Sequence, residues 1–114
     1  MADISPVVSI VAGVPIVKWT GITTSTDTPL KFAVPSGSIA SLLIGGTFGG
    51  ATAKLQYSND GTTWTDLKDS GGTTVSATAA AQFQQINIYA VYIKPTVSGG
   101  TSDNVDFTLA LRSV

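Results

Sequence analysis

The chain has 114 residues, a formal net charge of −1, no cysteine and no histidine. Without a thiol or an imidazole it lacks a cysteine nucleophile, a histidine-activated serine and a zinc site of the usual kind. Six basic residues spread along the chain form no patch that would neutralise nucleic-acid phosphates. We therefore expect no enzymatic activity, no cofactor, no metal site and no nucleic-acid partner.

The low charge of the chain points to assembly. Charged residues make up 11% of the sequence and hydrophobic residues 43%, whereas soluble domains usually carry about 25% charged residues. No segment approaches the roughly 18 uninterrupted apolar residues of a membrane span, and the first residues lack the basic start of a signal peptide. A nearly uncharged surface is poorly protected against self-association. The sequence thus predicts a subunit that buries surface against other proteins, with no membrane partner.

Residues 1–13 are predicted to form an extended N-terminal arm. Their apolar residues follow no clean period, and Pro6 excludes a central strand. One interpretation is a loosely packed tail. The other is an arm that lies on a neighbouring subunit, because a solvated tail is not normally this apolar. In the second case the contact residues would be Ile4, Val7, Val8, Ile10 and Val11.

Residues 14–114 are predicted to form one domain of about eight short strands. Thr, Val, Ile and aromatic residues dominate, and turn residues recur every eight to twelve positions, which is typical of a sandwich or barrel. Parallel strands would need helical crossovers that this sequence lacks. We therefore predict an all-β fold, a single antiparallel β-sandwich of jelly-roll or immunoglobulin-like type. The predicted strands are Val14–Thr20, Leu30–Val34, Ile39–Phe48, Ala51–Ser58, Thr62–Leu67, Phe83–Tyr89, Val91–Val97 and Val105–Arg112.

Three local signals refine this prediction. The strand Ile39–Phe48 is the most apolar, so we expect it to be central and buried on much of both faces, with Gly45-Gly46 marking a bulge or the close approach of another backbone. Asn59-Asp60-Gly61 lies between two strand patterns and predicts a hairpin turn. Pro95 lacks a backbone donor, so its strand should have an edge or a bulge there.

Acidic and aromatic residues leave two binding alternatives. Asp60, Asp66 and Asp69 are close in sequence, but an EF-hand loop ends in a glutamate that this chain does not have, so we interpret Asp60 as a turn residue and the others as solvated charges. A catalytic aspartate pair has no supporting residues. The aromatic residues could form a sugar-binding platform, although core positions explain most of them more simply. Those residues are Trp19, Tyr57, Trp64, Tyr89 and Tyr92, of which Tyr92 is the best candidate for exposure.

Two segments resemble small virion proteins of tailed bacteriophages. Residues 45–67, GGTFGGATAKLQYSNDGTTWTDL, combine a GTFGGA turn, an LQYS strand, an SNDG hairpin and a TWTDL return strand. Residues 91–112, VYIKPTVSGGTSDNVDFTLALR, look like the closing hairpin of such proteins. Together the two segments cover about 40% of the chain. Because the motif is a hairpin with its framing strands, it indicates fold and source context more firmly than a role.

The resemblance implies a structural, non-enzymatic function. Proteins of this kind often decorate capsids, as trimers at three-fold points of the head. On that basis we expect a decoration, or cement, protein on the capsid surface, made in the host cytoplasm, with itself (as a homotrimer) and the major capsid protein or another virion protein as partners. Phe48 and Tyr92, both expected in loops, join the arm residues as predicted contacts. The alternative is a host-recognition or adhesion module that binds a glycan from a tail, fibre or head appendage.

Overall fold

The computed structural model describes residues 2–24, 27–34, 38–69, 71–88 and 90–113. These residues form twelve strands, and none of them belongs to a helix able to cross a membrane. The all-β prediction is confirmed. The strands are β1 (Ala2–Ile4), β2 (Val7–Val11), β3 (Val14–Ile22), β4 (Asp27–Pro29), β5 (Phe32–Ala33), β6 (Ser38–Thr47), β7 (Thr52–Ser58), β8 (Thr65–Asp66), β9 (Ser76–Ala77), β10 (Ala81–Ile88), β11 (Tyr92–Ser98) and β12 (Asn104–Ser113).

Two antiparallel sheets make up the body of the molecule. The first, which we call sheet I, has the strand order β10-β6-β12-β3-β2. The second, sheet II, has the order β5-β11-β7-β8, and β9 also pairs with β7. Strands β1 and β4 form a separate parallel pair. The two sheets pack together, so the prediction of an antiparallel β-sandwich is confirmed.

The core lies between the two sheets and follows the period-two pattern of the strands. In β12 the residues at alternate positions from Val105 to Leu111 are buried, as the sequence predicts, and Phe107 and Leu109 are fully so. Trp19 of β3 is also fully buried, and its indole N–H donates to the carbonyl of Leu30 over 2.9 Å. A buried indole needs such a partner, so this bond also fixes the segment that leads into β5.

The strand β6 departs from its prediction in one respect. It is central, between β10 and β12, but it is buried on one face only. Leu42 and Ile44 point into the core, whereas Leu43 is 44% exposed. The apolar run misled the prediction because sheet II packs against the inner face of sheet I, so the alternate residues of β6 face outward.

Pro95 lies in β11 where no donor is required. Its partner in β7 is Leu55, whose N–H donates to Val75 and whose carbonyl accepts from Leu67, both on the far side of β7. On the other side of β11, the short strand β5 pairs only with Tyr92 and Ile93. The missing N–H therefore faces an open stretch of edge, and the edge predicted at this proline is confirmed.

The described part of the predicted arm, residues 2–13, is built into the molecule's own sheets. Ala2–Ile4 forms β1 alongside β4, and Val7–Val11 forms β2, the outermost strand of sheet I. The Ile4 side chain is half-buried against the core, and its carbonyl accepts a hydrogen bond from Leu30 N–H over 2.9 Å. Pro6 falls between β1 and β2, where it interrupts neither ladder.

The close backbone approach predicted at Gly45-Gly46 occurs at Gly46. This residue has φ +105°, and a Cβ placed on it would lie 2.3 Å from the carbonyl oxygen of Asn104 in β12. Neighbouring Gly45 has no heavy atom within 4 Å of the same position. Only glycine fits at Gly46, whereas an alanine fits the space at Gly45.

These two glycines give a matched pair for a stability test. We expect Gly46→Ala to destabilise the fold by about 2–4 kcal/mol through backbone strain and overpacking, and Gly45→Ala to change it by less than about 1 kcal/mol. Urea unfolding of both variants measures the difference. Equal stability of the two variants would contradict the approach of β12 to Gly46.

Candidate assembly surface

The N-terminal strands form a protruding hairpin at the edge of sheet I. Ala12 and Gly13 connect β2 to β3 with φ values of 51° and 79°, the left-handed pair of a type I′ turn. Val11 pairs with Val14 across this turn, and the register continues without a shift to Val7 and Lys18. We call residues 7–17 the edge hairpin.

The edge hairpin exposes large apolar side chains on both of its faces. The exposed fractions are 68% for Val7, 51% for Val8, 70% for Ile10 and 61% for Val11. Val8 lies opposite Val17 and therefore shares the inner face of sheet I, beyond the area that sheet II covers. Four of the five arm residues predicted as contacts thus lie together on one exposed strand. Exposed apolar residues grouped on one strand are typical of interaction surfaces.

None of the described strands pairs with the outer side of β2. Residues that flank a two-residue hairpin loop form a hydrogen-bonded pair, so Val11 bonds Val14 and the next pair, Ile10 with Pro15, is not bonded. Pro15, which has no N–H, suits that non-bonded position. By the same alternation, Val8 and Ile10 direct their N–H and C=O groups away from β3, toward the open edge.

The other described edges of the two sheets are short or irregular. The strand at the opposite edge of sheet I, β10, shifts register between Phe83 and Ile86. In sheet II the outer strands β5, β8 and β9 have two residues each. Bulges and short strands are the usual protections of a sheet edge against unwanted pairing. The strand β2 has five residues, a continuous register, no charge and no proline, so it has none of these protections.

The outer face of sheet I has an uncharged depression, and Lys18, Asp106 and Arg112 lie elsewhere on that face. Residues from β6, β10 and β12 line a shallow depression of about 230 Å³ on this face. Sequence analysis missed Leu43, because it assigned the residue to an apolar strand buried on much of both faces. The outward-facing lining residues are Ser41, Leu43, Gln82, Thr108 and Ala110, all uncharged.

The remaining two predicted contact residues lie elsewhere. Phe48, expected in an exposed loop, is 8% exposed and belongs to the core, because its GTFGGA turn folds back on the loop of residues 98–103. That packing is fixed by the hydrogen bond from Thr101 N–H to the carbonyl of Gly49, over 3.0 Å. Tyr92 is half-buried in β11 of sheet II, opposite Ser58. The structure therefore does not bring Phe48 or Tyr92 to the edge hairpin.

The outer face of sheet II carries Lys54, Asp66 and Lys94, and each of these charged groups has a local partner. Lys54 Nζ lies 3.2 Å from Asp66 Oδ2, and each side chain is 37% exposed. Lys94 Nζ lies 4.5 Å from the centre of the Trp64 ring, and Lys31 Nζ lies 5.6 Å from that of Tyr92, both within cation–π range. Gln56 and Lys54 lower the pKa of Asp66 through hydrogen bonds, the Gln56 contact being the stronger.

Asp60 organises the predicted hairpin turn. Its Oδ1 accepts the backbone N–H groups of Thr63 and Thr62, each over 2.8 Å, and the hydroxyl of Ser58 over 2.9 Å. These bonds, in that order, hold the pKa of Asp60 far below its ordinary value. The hairpin prediction is confirmed, but the return strand is shorter than predicted because Thr62 and Thr63 donate to Asp60 instead of to β7.

The carboxylate of Asp69 is similarly occupied, although the sequence suggested a solvated charge. Its Oδ1 accepts from Gly71 N–H over 2.9 Å and from Thr73 N–H over 3.0 Å. Asp66 bonds Lys54 and Gln56, as described above. Within the described ranges, no three acidic residues come together as a metal-ligand group. Each of the three aspartates considered for calcium therefore supports its own local turn or strand.

Of the aromatic residues, Tyr57 lies at a cleft. A depression of about 290 Å³ is lined by Tyr57, Asn59, Leu67, Asn87 and Ala90. The side-chain oxygen of Asn59 already accepts the N–H of Val91 over 3.3 Å. Trp19 is a core residue, and Tyr89 lies outside the described residues. The aromatic ring at this cleft is thus Tyr57, flanked by two amides, whereas Trp64 and Tyr92 are half-buried and contact Lys94 and Lys31.

No family model, curated protein or solved structure matches this chain.

The low pKa of Asp60 predicts a specific pH dependence. A carboxylate whose pKa is lowered by folding stabilises the protein above its unfolded pKa of about 4, and that stability is lost as the pH falls below this value. We expect the melting temperature of the protein to fall between pH 5 and pH 2 by more than that of Asp60→Asn, which cannot ionise at this position. Identical pH profiles for the two proteins would contradict the assigned hydrogen bonds.

Proposed function

We propose that this chain is a non-enzymatic structural protein of a bacteriophage, and specifically a capsid decoration protein that binds the assembled head and stabilises it. The observation that carries the proposal is the edge hairpin, which exposes half or more of each of four large apolar side chains and bears no charge on β2. A surface of this composition favours burial against another protein. The virion context comes from the resemblance of residues 45–67 and 91–112 to phage virion proteins.

Burial of the edge hairpin against a neighbouring subunit of the particle would contribute free energy to the assembly. Complete burial of an exposed Val or Ile side chain contributes about 1.5–3 kcal/mol. The four β2 side chains are 51–70% exposed. Burial of these exposed parts would contribute about 4–7 kcal/mol for each copy, before the cost of association is subtracted. Because many copies bind one shell, and they bind only its assembled state, a small energy per copy stabilises the whole particle.

The two outer faces suggest how the protein sits on the head. Docking through the depression on the outer face of sheet I would desolvate hydroxyls and small apolar groups around Leu43, and the lining of this depression carries no charge. Docking of sheet II would bury Lys54, Asp66 and Lys94, which are partly hydrated where they are. We therefore place sheet I toward the shell and sheet II toward solvent. Three copies around a three-fold axis remain the arrangement that the resemblance implies.

Heating of phage heads tests this proposal. Heads lacking the protein are mixed with the purified chain, and the temperature at which they release DNA is measured. We expect the wild-type protein to raise that temperature. Leu43→Asp should lose most of the effect, because it would bury a carboxylate against the shell.

Val91→Asp is the matched control. Val91 is 45% exposed, against 44% for Leu43, but it precedes β11 of sheet II. The control variant should therefore protect heads as well as the wild-type protein. The same release temperature with and without the wild-type chain would refute the decoration function, and an equal loss in both variants would refute the assignment of sheet I as the docking face.

The cleft at Tyr57 supports a second candidate, a glycan-binding adhesion module. An aromatic ring stacks on the apolar face of a sugar, and the amides of Asn59 and Asn87, which line the same cleft, can bond its hydroxyls. Binding of the isolated chain to host glycans, abolished by Tyr57→Ala and unaffected by Leu43→Asp, would favour this function over decoration.

A further inference from the structure

We infer that β2 pairs with β2 of a second copy of this chain, in antiparallel orientation about a two-fold axis at Ser9, so that two copies of sheet I join into one continuous sheet. The inference depends on the edge hairpin alone and not on the particle that the protein joins. It also differs from the three-fold arrangement considered above, since pairing of one edge with itself is a two-fold contact.

The backbone of β2 is self-complementary in this register. Val8 and Ile10 direct their N–H and C=O groups outward, and an axis at Ser9 places Val8 opposite Ile10 of the second copy, and Ile10 opposite its Val8. Each of these pairs exchanges two hydrogen bonds, as bonded pairs of an antiparallel ladder do. Both outward-facing residues of each copy would therefore gain complete backbone partners.

The side chains of β2 are also self-complementary. The sequence Val-Val-Ser-Ile-Val of residues 7–11 is nearly a palindrome about Ser9. Pairing therefore sets β-branched residues against β-branched residues on both faces of the joined sheet and leaves the small Ser9 at the axis. No charged residue lies on the strand, so pairing brings no like charges into opposition. These matched features identify a second copy, rather than an unrelated strand, as the occupant of this edge.

The other edges of the two sheets also support a second copy of the chain as the partner of β2. The other outer strands of the two sheets are two residues long or carry a register shift, whereas β2 is regular along its whole length. An edge that is left regular and apolar in a chain with so few charges associates unless it is covered. A closed two-fold pair covers both copies at once and leaves no further β2 edge for continued growth.

Disulfide crosslinking tests the register of this pairing. Because the chain has no cysteine of its own, any crosslink must form through an introduced cysteine. Ser9 would lie opposite Ser9 of the second copy in a non-bonded pair, whose Cα atoms are about 4.5 Å apart, close enough for a disulfide. We expect Ser9→Cys to form a covalent dimer under mild oxidation, with a mass twice the 11.6 kDa of the chain.

Val7→Cys and Val11→Cys serve as matched controls for register. In the proposed pairing each of these residues lies opposite the other, and identical positions are about 13 Å apart along the strand. Each variant alone should remain uncrosslinked, whereas a mixture of the two should form a heterodimer. Crosslinking of Val11→Cys alone as efficient as that of Ser9→Cys would overturn the register.

Mass and affinity measurements on the uncrosslinked protein complete the test. Analytical ultracentrifugation should find a dimer, and Ile10→Pro, which removes an outward N–H from each copy, should weaken it at least tenfold. Ile10→Thr keeps that N–H and should weaken the dimer less. Unfolding curves check that both variants remain folded. A wild-type monomer or trimer would overturn the inference, and neither result depends on whether the chain protects phage heads.

Discussion

The unpaired backbone groups at the edges of its sheets are the constraint on which this structure depends. A β-sandwich has four such edges, and each leaves a row of N–H and C=O groups that need water, a side chain or another strand. Here the edge strand β10 is bent by a register shift, and β5, β8 and β9 end after two residues each. Because charged residues are scarce, lysines do not protect the remaining edge, and β2 carries only apolar residues and one serine.

The few acidic residues of this weakly charged chain are used to bind backbone groups. Asp60 and Asp69 accept backbone N–H groups of their own turns. Asp103 accepts from the N–H and the hydroxyl of Thr24. The hydroxyl oxygen of Thr24 in turn accepts from Gly100 N–H over 3.1 Å. Asp106 accepts from Gly21 N–H over 2.8 Å. Carboxylates bound in this way stabilise loops that a glycine- and threonine-rich sequence would otherwise hold poorly. The proximity of Asp60, Asp66 and Asp69 in the sequence is thus explained by the local turn and strand contacts that each of them makes.

Features set by neighbouring residues could be read from the sequence, and features set by distant contacts could not. The alternation of β12, the turn at Asp60 and the glycine at Gly46 each follow from local pattern or backbone geometry, and all three were predicted correctly. The burial of Phe48 depends on the loop of residues 98–103, about 50 positions away, and the exposure of the outer face of β6 depends on which of its faces sheet II covers. No local pattern carries that information.

The edge hairpin shows the same division within one site. Its apolar residues stand out in the sequence because they contradict the composition of a solvated tail, but the sequence did not indicate their pairing with β3. A type I′ turn is usually signalled by Asn-Gly or Asp-Gly, and here Ala12 adopts the positive φ that Asn or Asp normally takes. Alanine disfavours that conformation, so the cross-strand contacts of Val11 with Val14 and of Val8 with Val17 must outweigh its local preference.

Self-pairing and shell binding can coexist because they use different directions of sheet I. Strand pairing occurs in the plane of the sheet and hydrogen-bonds the outward backbone groups of Val8 and Ile10. Docking on the shell would occur along the normal to the sheet and would bury the side chains around Leu43. Leu43 lies in β6, which is separated from β2 by the strands β12 and β3. A joined pair of sheets would also present two copies of that face side by side. Each contact with the shell would then make the second one intramolecular, which raises the avidity of a surface whose single contacts are weak.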